Sequence, residues 1–321
     1  MDAFRRAMAE LDVAGRLIAT DLTDAAPAFH RADVAVRVPP IGTIEYIPAV
    51  REICRTYDVG LLIPLIDLDL RSLARHRDAF AADGCRIMIG PPETILMCRH
   101  KVRTAEFLAG IGLQAIRTFT LEDFRARPFF PCFVKPLRGS ASIGTAALHS
   151  EAELNAHVAT FGDLILVQDY VPGSEYTLDI YRTAAGQVQC VVPRQRLSVR
   201  AGEVQNGVTV HDEELISAGV RLGEALEGVW GVVNAQCRRP EGGPAHLFEI
   251  NPRFGGGAPL SIAAGANLPR YVLEERLGLP VSAALGQFTP NLLMLRYDDA
   301  VFVEIDDPKR LPGFDAPQVR R

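Results

Sequence analysis

The stretch "HLFEINPRFGGG", residues 246–257, combines a carboxylate, a carboxamide and a guanidinium on alternate positions with three consecutive glycines. In an extended strand, residues two apart point to the same face, so Glu249, Asn251 and Arg253 are expected to project together. Leu247 is expected one step further back on this face. The opposite face would then carry the intervening residues His246, Phe248 and Ile250.

These side chains suit a cation and a phosphate group. Carboxylate and amide oxygens are ligands for Mg²⁺, which usually takes substrate phosphates for the rest of its shell. The Arg253 guanidinium can hold a phosphate through two parallel hydrogen bonds, and the glycines allow close backbone approach. A strand end with a capped polar turn explains the same residues without any ligand, so this stretch alone leaves both interpretations open.

The composition is that of a folded protein with more than one structural unit. The chain has 321 residues, of which 48% are hydrophobic and 23% charged, which excludes wholesale disorder. Its length is about twice that of a typical domain, so two or three units are expected. The formal net charge of -5 argues against a general nucleic-acid-binding protein, because that class carries an excess of Lys and Arg.

No segment of the sequence has the pattern of a membrane span or a signal peptide. The longest apolar runs, such as "GLLIPLI", fall far short of the ~20 residues that a span needs. We therefore expect a cytoplasmic protein that does not associate with membranes. The six cysteines are scattered without a C-x-x-C pair, which argues against a zinc site or a disulfide framework.

Residues 1–95 alternate apolar strands with amphipathic helices, an order that predicts parallel β-α-β crossovers. A Rossmann-like unit usually opens with a strand and a glycine-rich turn, whereas this chain opens on the helical pattern "DAFRRAMAEL". We expect a sheet that lacks its leading strand and whose exposed ladder groups must be covered. A longer natural start, a partner chain or a rearranged edge would each achieve this.

The remaining sequence predicts two further lobes. Residues 96–168 have the pattern of a linker helix and a small α+β lobe, and residues 169–321 that of a larger lobe with an antiparallel sheet. In the small lobe, Lys135 is the only charge in the apolar strand "CFVKPL", and a buried ammonium favours an anionic partner. The turn "RGSASIG" that follows can wrap phosphate oxygens with backbone N–H groups, although it lacks the P-loop spacing.

In chain order, these segments resemble the ATP-grasp superfamily, and most closely its branch typified by the carbamoyl phosphate synthetase large chain. The segments that carry the resemblance are Lys101 in "HKVRTAEFL", Lys135 in "FVKP", the loop Gly139–Gly144, the hinge "VQDYVPGSEYTLD", Gln236 in "NAQ", and "FEINPR". The ordered set is specific and spans nearly the whole chain. The resemblance implies an α/β plus α+β protein, in which a Rossmann-like pre-ATP-grasp unit precedes a two-lobed ATP-grasp fold.

The resemblance also implies a nucleotide site. Lys101 and Lys135 would contact the phosphates, and Glu175 would hold the ribose hydroxyls. The lid loop would comprise Arg138, Gly139, Ser140, Ser142 and Gly144. The adenine hinge would comprise Gln168, Asp169, Tyr170 and Val171. The sequence departs from the usual pattern at Asp169, where the hinge often has Glu, and at His100, where Asp often precedes the helix lysine.

The implied metal ligands are Gln236, Glu249 and Asn251, with Glu249 bridging two ions, and Arg253 would meet the transferring phosphoryl group. ATP and Mg²⁺ are the implied cofactors, with Mn²⁺ as a substitute for Mg²⁺. For the substrate carboxylate, the strand "VVPRQRLSVR" supplies Arg194, Arg196 and Arg200 as candidates. The alternative for each arginine is a solvated charge on a strand.

The implied reaction is attack of a carboxylate oxygen on the γ-phosphate of ATP, which gives an acylphosphate and ADP, followed by displacement of phosphate by an amine. The expected protein is an ADP-forming ligase whose partners are a small-molecule carboxylate and an amine, and a homodimer is possible on the same resemblance. Two alternatives stay open. One is a kinase-like enzyme that stops at an acyl or carboxy phosphate, and the other is a nucleotide-binding regulator without turnover.

Overall fold

The computed structural model describes residues 1–137, 144–200 and 202–304, and these residues form two units. The first unit contains Met1–Ile89, Asn267–Ser282 and residues 297–304. The second contains Gly90–Ala266 and Ala283–Arg296. The first unit therefore includes a segment from late in the chain, which domain boundaries drawn along the sequence do not anticipate. In the described part of the chain, no helix combines the length and apolar character that a membrane crossing requires.

The first 89 residues alternate helices and short strands. In chain order these are α1 (Asp2–Glu10), β1 (Ile18–Asp21), β2 (Val34–Arg37), α2 (Tyr46–Thr56), β3 (Leu61–Leu62), α3 (Asp67–Ala82) and β4 (Arg86–Ile87). A 3-10 turn, Pro27–His30, connects β1 to β2. The predicted α/β organisation is confirmed, and within the described residues the strands form two separate parallel pairs, β1 with β2 and β3 with β4.

The second unit begins with two helices and a small antiparallel sheet. Its elements up to residue 169 are α4 (Pro92–Arg99), α5 (Lys101–Gly110), β5 (Thr118–Thr120), α6 (Leu121–Ala126), β6 (Cys132–Pro136), β7 (Ala146–Leu148), α7 (Glu151–Phe161) and β8 (Ile165–Asp169). The strands form a four-stranded sheet in the order β5-β8-β6-β7, which we call the small sheet. The predicted small α+β lobe is thus present.

The rest of the chain builds a larger sheet. Its elements are β9 (Ser174–Arg182), β10 (Val188–Arg200), β11 (Glu203–Thr209), α8 (Glu213–Ala225), β12 (Gly231–Arg239), β13 (His246–Asn251), α9 (Ala258–Ala263), α10 (Leu268–Arg276) and β14 (Leu293–Leu295). The strands form a six-stranded sheet in the order β13-β12-β9-β10-β11-β14, which we call the large sheet. Helix α10 belongs to the first unit, where it packs on α1.

One face of the large sheet is apolar and packs on α8. The buried cluster on this face includes Leu178, Ile180, Val191, Val233, Ala235 and Ile250, with Leu215, Ile216 and Leu222 from α8. Each fully buried side chain of this size contributes roughly 1.5–3 kcal/mol relative to exposure. Because side chains alternate along a strand, the polar residues of the same strands are placed together on the other face.

Candidate active site

The polar face of the large sheet aligns residues from three separate strands. Antiparallel pairing places Glu249 directly opposite Gln236, which lies opposite Thr177 on the next strand. A second row is formed by Asn251, Asn234 and Asp179. Directly opposite residues in an antiparallel pair project from the same face. β12 and β13 thus form a hairpin that brings Gln236 and Glu249 together on this face.

Glu249 lies within hydrogen-bond distance of both neighbouring carboxamides. Its Oε1 accepts from Nδ2 of Asn251 at 2.8 Å and from Nε2 of Gln236 at 3.3 Å. Turning either side-chain amide by 180° about its terminal bond would place its oxygen, instead of its nitrogen, next to the Glu249 carboxylate. Across the described ranges, no group of three or more His, Cys, Asp and Glu side chains could hold a metal. A cation here would thus need the amide oxygens and a ligand's oxygens, as Mg²⁺ accepts.

A β-bulge in β13 reverses part of the expected alternation. Gln236 pairs with Glu249, but the next residue, Cys237, pairs with Leu247, so Phe248 is an extra residue on β13. Leu247 therefore joins the apolar cluster and is only 1% exposed. The expectation that Leu247 shares the face of Glu249 is wrong, because the bulge shifts the side-chain period by one residue.

Lys135 connects the small sheet to this site. Its Nζ lies 5.7 Å from the centre of the Phe248 ring, within range of a cation–π interaction. Burial lowers the pKa of the Lys135 ammonium from 10.5 to about 8, repulsion by Lys101 adds to this decrease, and attraction by Glu249 opposes it. A desolvated ammonium near a second cation is suited to an anionic ligand.

The side chains of the first two hinge residues, Gln168 and Asp169, already have partners at the end of the small sheet. Nε2 of the buried Gln168 donates to Oγ1 of Thr118 at 2.6 Å, and the Asp169 carboxylate pairs with Arg117. Contacts from these two residues to a bound ligand would therefore come from their backbone groups. Tyr170 is 39% exposed and Val171 is buried.

Glu175 forms a row with two arginines across three strands. Its carboxylate lies 3.0 Å from Nε of Arg196 and 3.4 Å from Nη2 of Arg238. A ribose hydroxyl would have to use the remaining lone pairs of this carboxylate, since an ionised carboxylate has about four acceptor positions. Arg196, a sequence candidate for the substrate carboxylate, is thus next to the predicted ribose residue.

Arg194 is buried in an ion pair with Asp179, which is not among the site residues predicted from the sequence. The Arg194 and Asp179 side chains are 1% and 0% exposed, and Nε and Nη2 donate to the carboxylate at 2.7 and 3.0 Å. Asp179 also accepts from Asn234 Nδ2 at 2.9 Å and from Ser261 Oγ at 2.6 Å. Neither predicted role of Arg194, substrate ligand or solvated charge, describes this position.

A signal for Asp179 was present in the sequence. It is the only charged residue within the apolar stretch "TLDIY", and a buried carboxylate requires a cationic or hydrogen-bonding partner. Local sequence could not identify Arg194 as that partner, because the two residues lie on different strands.

The three glycines after β13 accommodate side chains of the same unit. A Cβ on Gly255 would lie 2.4 Å from Nδ2 of Asn234, and one on Gly257 would lie 2.2 Å from Nη1 of Arg194. A Cβ on Gly256 would lie 1.8 Å from Oε2 of Glu203. The run of three glycines predicts a close approach to the backbone here, and within the described residues the approaching groups are these polar side chains.

We expect Gly257→Ala to destabilise the protein by about 1–3 kcal/mol, because the added methyl group meets the buried Arg194 and Val204 side chains. Gly256→Ala should have a smaller effect, since the Glu203 side chain is 60% exposed and can move aside. Gly110→Ala is the matched control, because nothing lies within 4 Å of its added Cβ. Urea unfolding would measure all three, and equal effects at 256 and 257 would contradict the packing argument.

The other predicted site residues lie on several separate segments of the chain. Lys101 is the first residue of α5, which His100 caps by accepting from the backbone N–H of Arg103 at 3.4 Å. Nη1 of Arg253 donates to the carbonyl oxygen of Phe254 at 2.8 Å. Gly144 has a φ of 71°, which favours glycine. Four of the predicted lid residues lie outside the described part of the chain: Arg138, Gly139, Ser140 and Ser142.

Two family models match parts of the chain, and the first match ends close to Gly90, where the second structural unit begins. Residues 1–88 match the family model described as "PylC-like, N-terminal domain". Residues 161–297 match the model described as "ATP-grasp in the biosynthetic pathway with Ter operon". The second match covers the large sheet and the residues of its polar face.

Two enzymes are similar in sequence to part of this chain. The formate-dependent phosphoribosylglycinamide formyltransferase of Chlorobaculum tepidum is 27% identical over 232 residues, covering 67% of this chain and 55% of that protein. The D-alanine–D-alanine ligase of Granulibacter bethesdensis is 30% identical over 108 residues, covering 31% of this chain and 34% of that protein. The chain thus spans about half, or less, of the length of these relatives.

A similar fold is found in the complex of biotin carboxylase with β-γ-ATP from Campylobacter jejuni. The two structures superpose with a TM-score of 0.71 over 91% of this chain and 71% of that chain, at 13% sequence identity. At this identity the likeness establishes the fold.

Proposed function

The chain belongs to the ATP-grasp superfamily, and from this premise we propose that it is an ADP-forming ligase that joins a carboxylate to an amine through an acylphosphate. The observation that supports this most directly is the convergence of Glu249, Gln236 and Asn251 on one face, with Lys135 beside them. This arrangement combines hard oxygen ligands with a cation suited to phosphate, which phosphoryl transfer requires.

In this proposal each predicted residue has a defined task. Lys101 and Lys135 bind the nucleotide phosphates, and Glu175 binds the ribose. The hinge backbone from Gln168 to Val171 binds adenine, and Arg253 binds the transferring phosphoryl group. The residues that would hold Mg²⁺, or Mn²⁺ in its place, are Gln236, Glu249 and Asn251. The bound cation would neutralise charge on the phosphate oxygens.

The protein's contribution to the rate is positioning and charge neutralisation. The two sheets would place the carboxylate oxygen in line with the γ-phosphate, while fixed cations offset the charge of the approaching groups. Arg194 is 1% exposed and paired with Asp179, so Arg196 and Arg200 are the more accessible of the three candidates for a substrate carboxylate. The proposed substrates are therefore small molecules, one with a carboxylate and one with an amine.

An ADP-release assay tests the proposed function. The full chain is incubated with Mg-ATP and a panel of small carboxylic acids, with and without hydroxylamine as a general amine that captures acylphosphates. A ligase should release ADP and form a hydroxamate with its own acid. ADP release that needs no amine would instead indicate the kinase-like enzyme. Nucleotide binding without ADP release for any acid would indicate a regulator and contradict the proposal.

The quaternary structure and cellular location are separate predictions. On the resemblance to ATP-grasp enzymes we propose a homodimer in the cytoplasm. Sedimentation equilibrium of the full chain would test the dimer, and a concentration-independent monomer mass would contradict it.

We expect the affinity for ATP to fall as the pH rises through about 8 and to be nearly constant below it. The reason is that the Lys135 pKa is lowered to about 8, so the ammonium that meets the phosphates is present below this pH and lost above it. Above pH 8, binding must take up a proton, which costs up to about tenfold in affinity per pH unit.

Calorimetry between about pH 6.5 and 9.5 would measure this dependence, with proton uptake read from buffers of different ionisation enthalpy. Lys135→Arg is the matched control, because a guanidinium keeps its charge over the whole range. Its affinity should change much less with pH. A wild-type profile that is equally flat would show that Lys135 does not meet the phosphates as an ammonium.

A further inference from the structure

The small sheet is connected to the large sheet by two chain crossings, and the first is only one residue long. Leu247 in β13 donates its N–H to the carbonyl of Gln114 and accepts from the N–H of Ile116, both at 2.9 Å. Residues up to Ile116 thus belong with the large sheet. Thr118 already begins β5 of the small sheet, so Arg117 alone separates the two.

The second crossing follows β8. This strand ends at Asp169, and β9 of the large sheet begins at Ser174. Within the crossing, Gly173 has a φ of 101° and lies so close to the next strand that an added Cβ would be 2.1 Å from the carbonyl oxygen of Arg239. The large-sheet end of this crossing is therefore tightly packed. Its small-sheet end is Asp169.

Arg117 and Asp169 join the two crossings by several hydrogen bonds. The guanidinium donates to both carboxylate oxygens, with Nη2 to Oδ1 at 2.8 Å and Nε to Oδ2 at 2.9 Å. The backbone N–H of Arg117 also donates to Oδ2, and its carbonyl accepts from the N–H of Asp169, both at 3.2 Å. Bidentate pairs of this kind fix direction as well as distance.

The Arg117 side chain is also held from its other side. Its guanidinium carbon lies 5.7 Å from the ring centre of Phe119 and 5.3 Å from that of Phe129. Both rings belong to the small lobe, where they pack edge to face at 5.7 Å. Although Arg117 is 67% exposed, these contacts limit its orientations, which distinguishes this ion pair from a flexible surface pair.

We propose that Arg117 and Asp169 are a positioning pair that holds the two crossings together and so sets the orientation of the small sheet over the large sheet. As a consequence, the pair determines where the backbone of the hinge meets the adenine ring, a part of the inference that rests on the proposed function.

A double-mutant cycle tests the pair. The variants are Arg117→Gln, Asp169→Asn and the two combined, and Arg51→Gln is the matched control because it removes a comparable ion pair, with Asp83 at 2.8 Å, from the first unit. We expect each single variant to raise the Kd and KM for ATP by about 3- to 10-fold with kcat changed less than about 2-fold. The double variant should be no worse than either single variant.

Hydrogen exchange of the nucleotide-free protein gives an independent readout. Amides of β5 and β8 should exchange faster in both single variants and in the double variant, and at the wild-type rate in Arg51→Gln. Arg117→Lys keeps the charge without the bidentate geometry, so it should restore ATP affinity only in part.

Unchanged exchange together with unchanged ATP affinity would overturn the inference, as would single effects that simply add in the double variant. If the wild-type protein does not bind ATP, the proposed function fails, but the exchange measurement still decides whether the pair restrains the small sheet.

Discussion

Glu249→Gln is expected to lower ATP turnover by about 10²- to 10³-fold while leaving the fold intact. Glu249 is the only carboxylate of the proposed metal set, and its loss removes several kcal/mol of charge stabilisation in phosphoryl transfer. Gln has nearly the same shape, and it can keep a hydrogen bond to Asn251, whose Nδ2 lies 2.8 Å from the carboxylate. Steady-state ADP release at saturating Mg-ATP measures the loss, and thermal unfolding measures the stability.

The matched control for this variant is Glu241→Gln, which removes an exposed carboxylate in the turn between β12 and β13. Its turnover should equal that of the wild type. Asn251→Ala and Gln236→Ala should have intermediate effects, because each removes a neutral ligand and leaves the carboxylate in place. Near-normal turnover of Glu249→Gln at saturating Mg²⁺ would show that Glu249 does not bind the metal.

Asp179→Ala is expected to destabilise the protein by about 3–5 kcal/mol. It would leave the guanidinium of Arg194 buried without its partner, and removal of one member of a buried pair costs more than the pair contributes. The variant also removes the acceptor for Asn234 and Ser261. Because Asn234 lies opposite Asn251, turnover should fall as well. Urea unfolding and ADP release measure the two effects.

A second variant separates the charge from the packing. Asp179→Ala combined with Arg194→Met removes both buried charges, so it should recover much of the lost stability. Asp24→Ala is the control, because its partner Arg37 is largely exposed and the change in stability should be small. Destabilisation by the double variant equal to or greater than that of Asp179→Ala would contradict the argument that an unpaired buried charge causes the loss.

The sequence by itself determined the elements of the polar face. The alternation in "LFEIN" and "GVVNAQC" is a property of each strand alone, since successive side chains point to opposite faces whatever the neighbouring strand is. For this reason the shared face of Glu249 and Asn251 and the α/β character of the first 89 residues could be predicted. The ordered set of Lys101, Lys135 and "FEINPR" was likewise sufficient to indicate the superfamily.

Only the tertiary structure decided which residues meet across strands. Asp179 and Arg194 form their pair diagonally on neighbouring strands, and Arg117 meets Asp169 across 52 residues of sequence. The bulge at Phe248 depends on how β13 pairs with β12, and it alone moved Leu247 into the core. The periodicity of a strand is local, whereas its register, its bulges and the partners of its buried charges depend on chain segments far away in sequence.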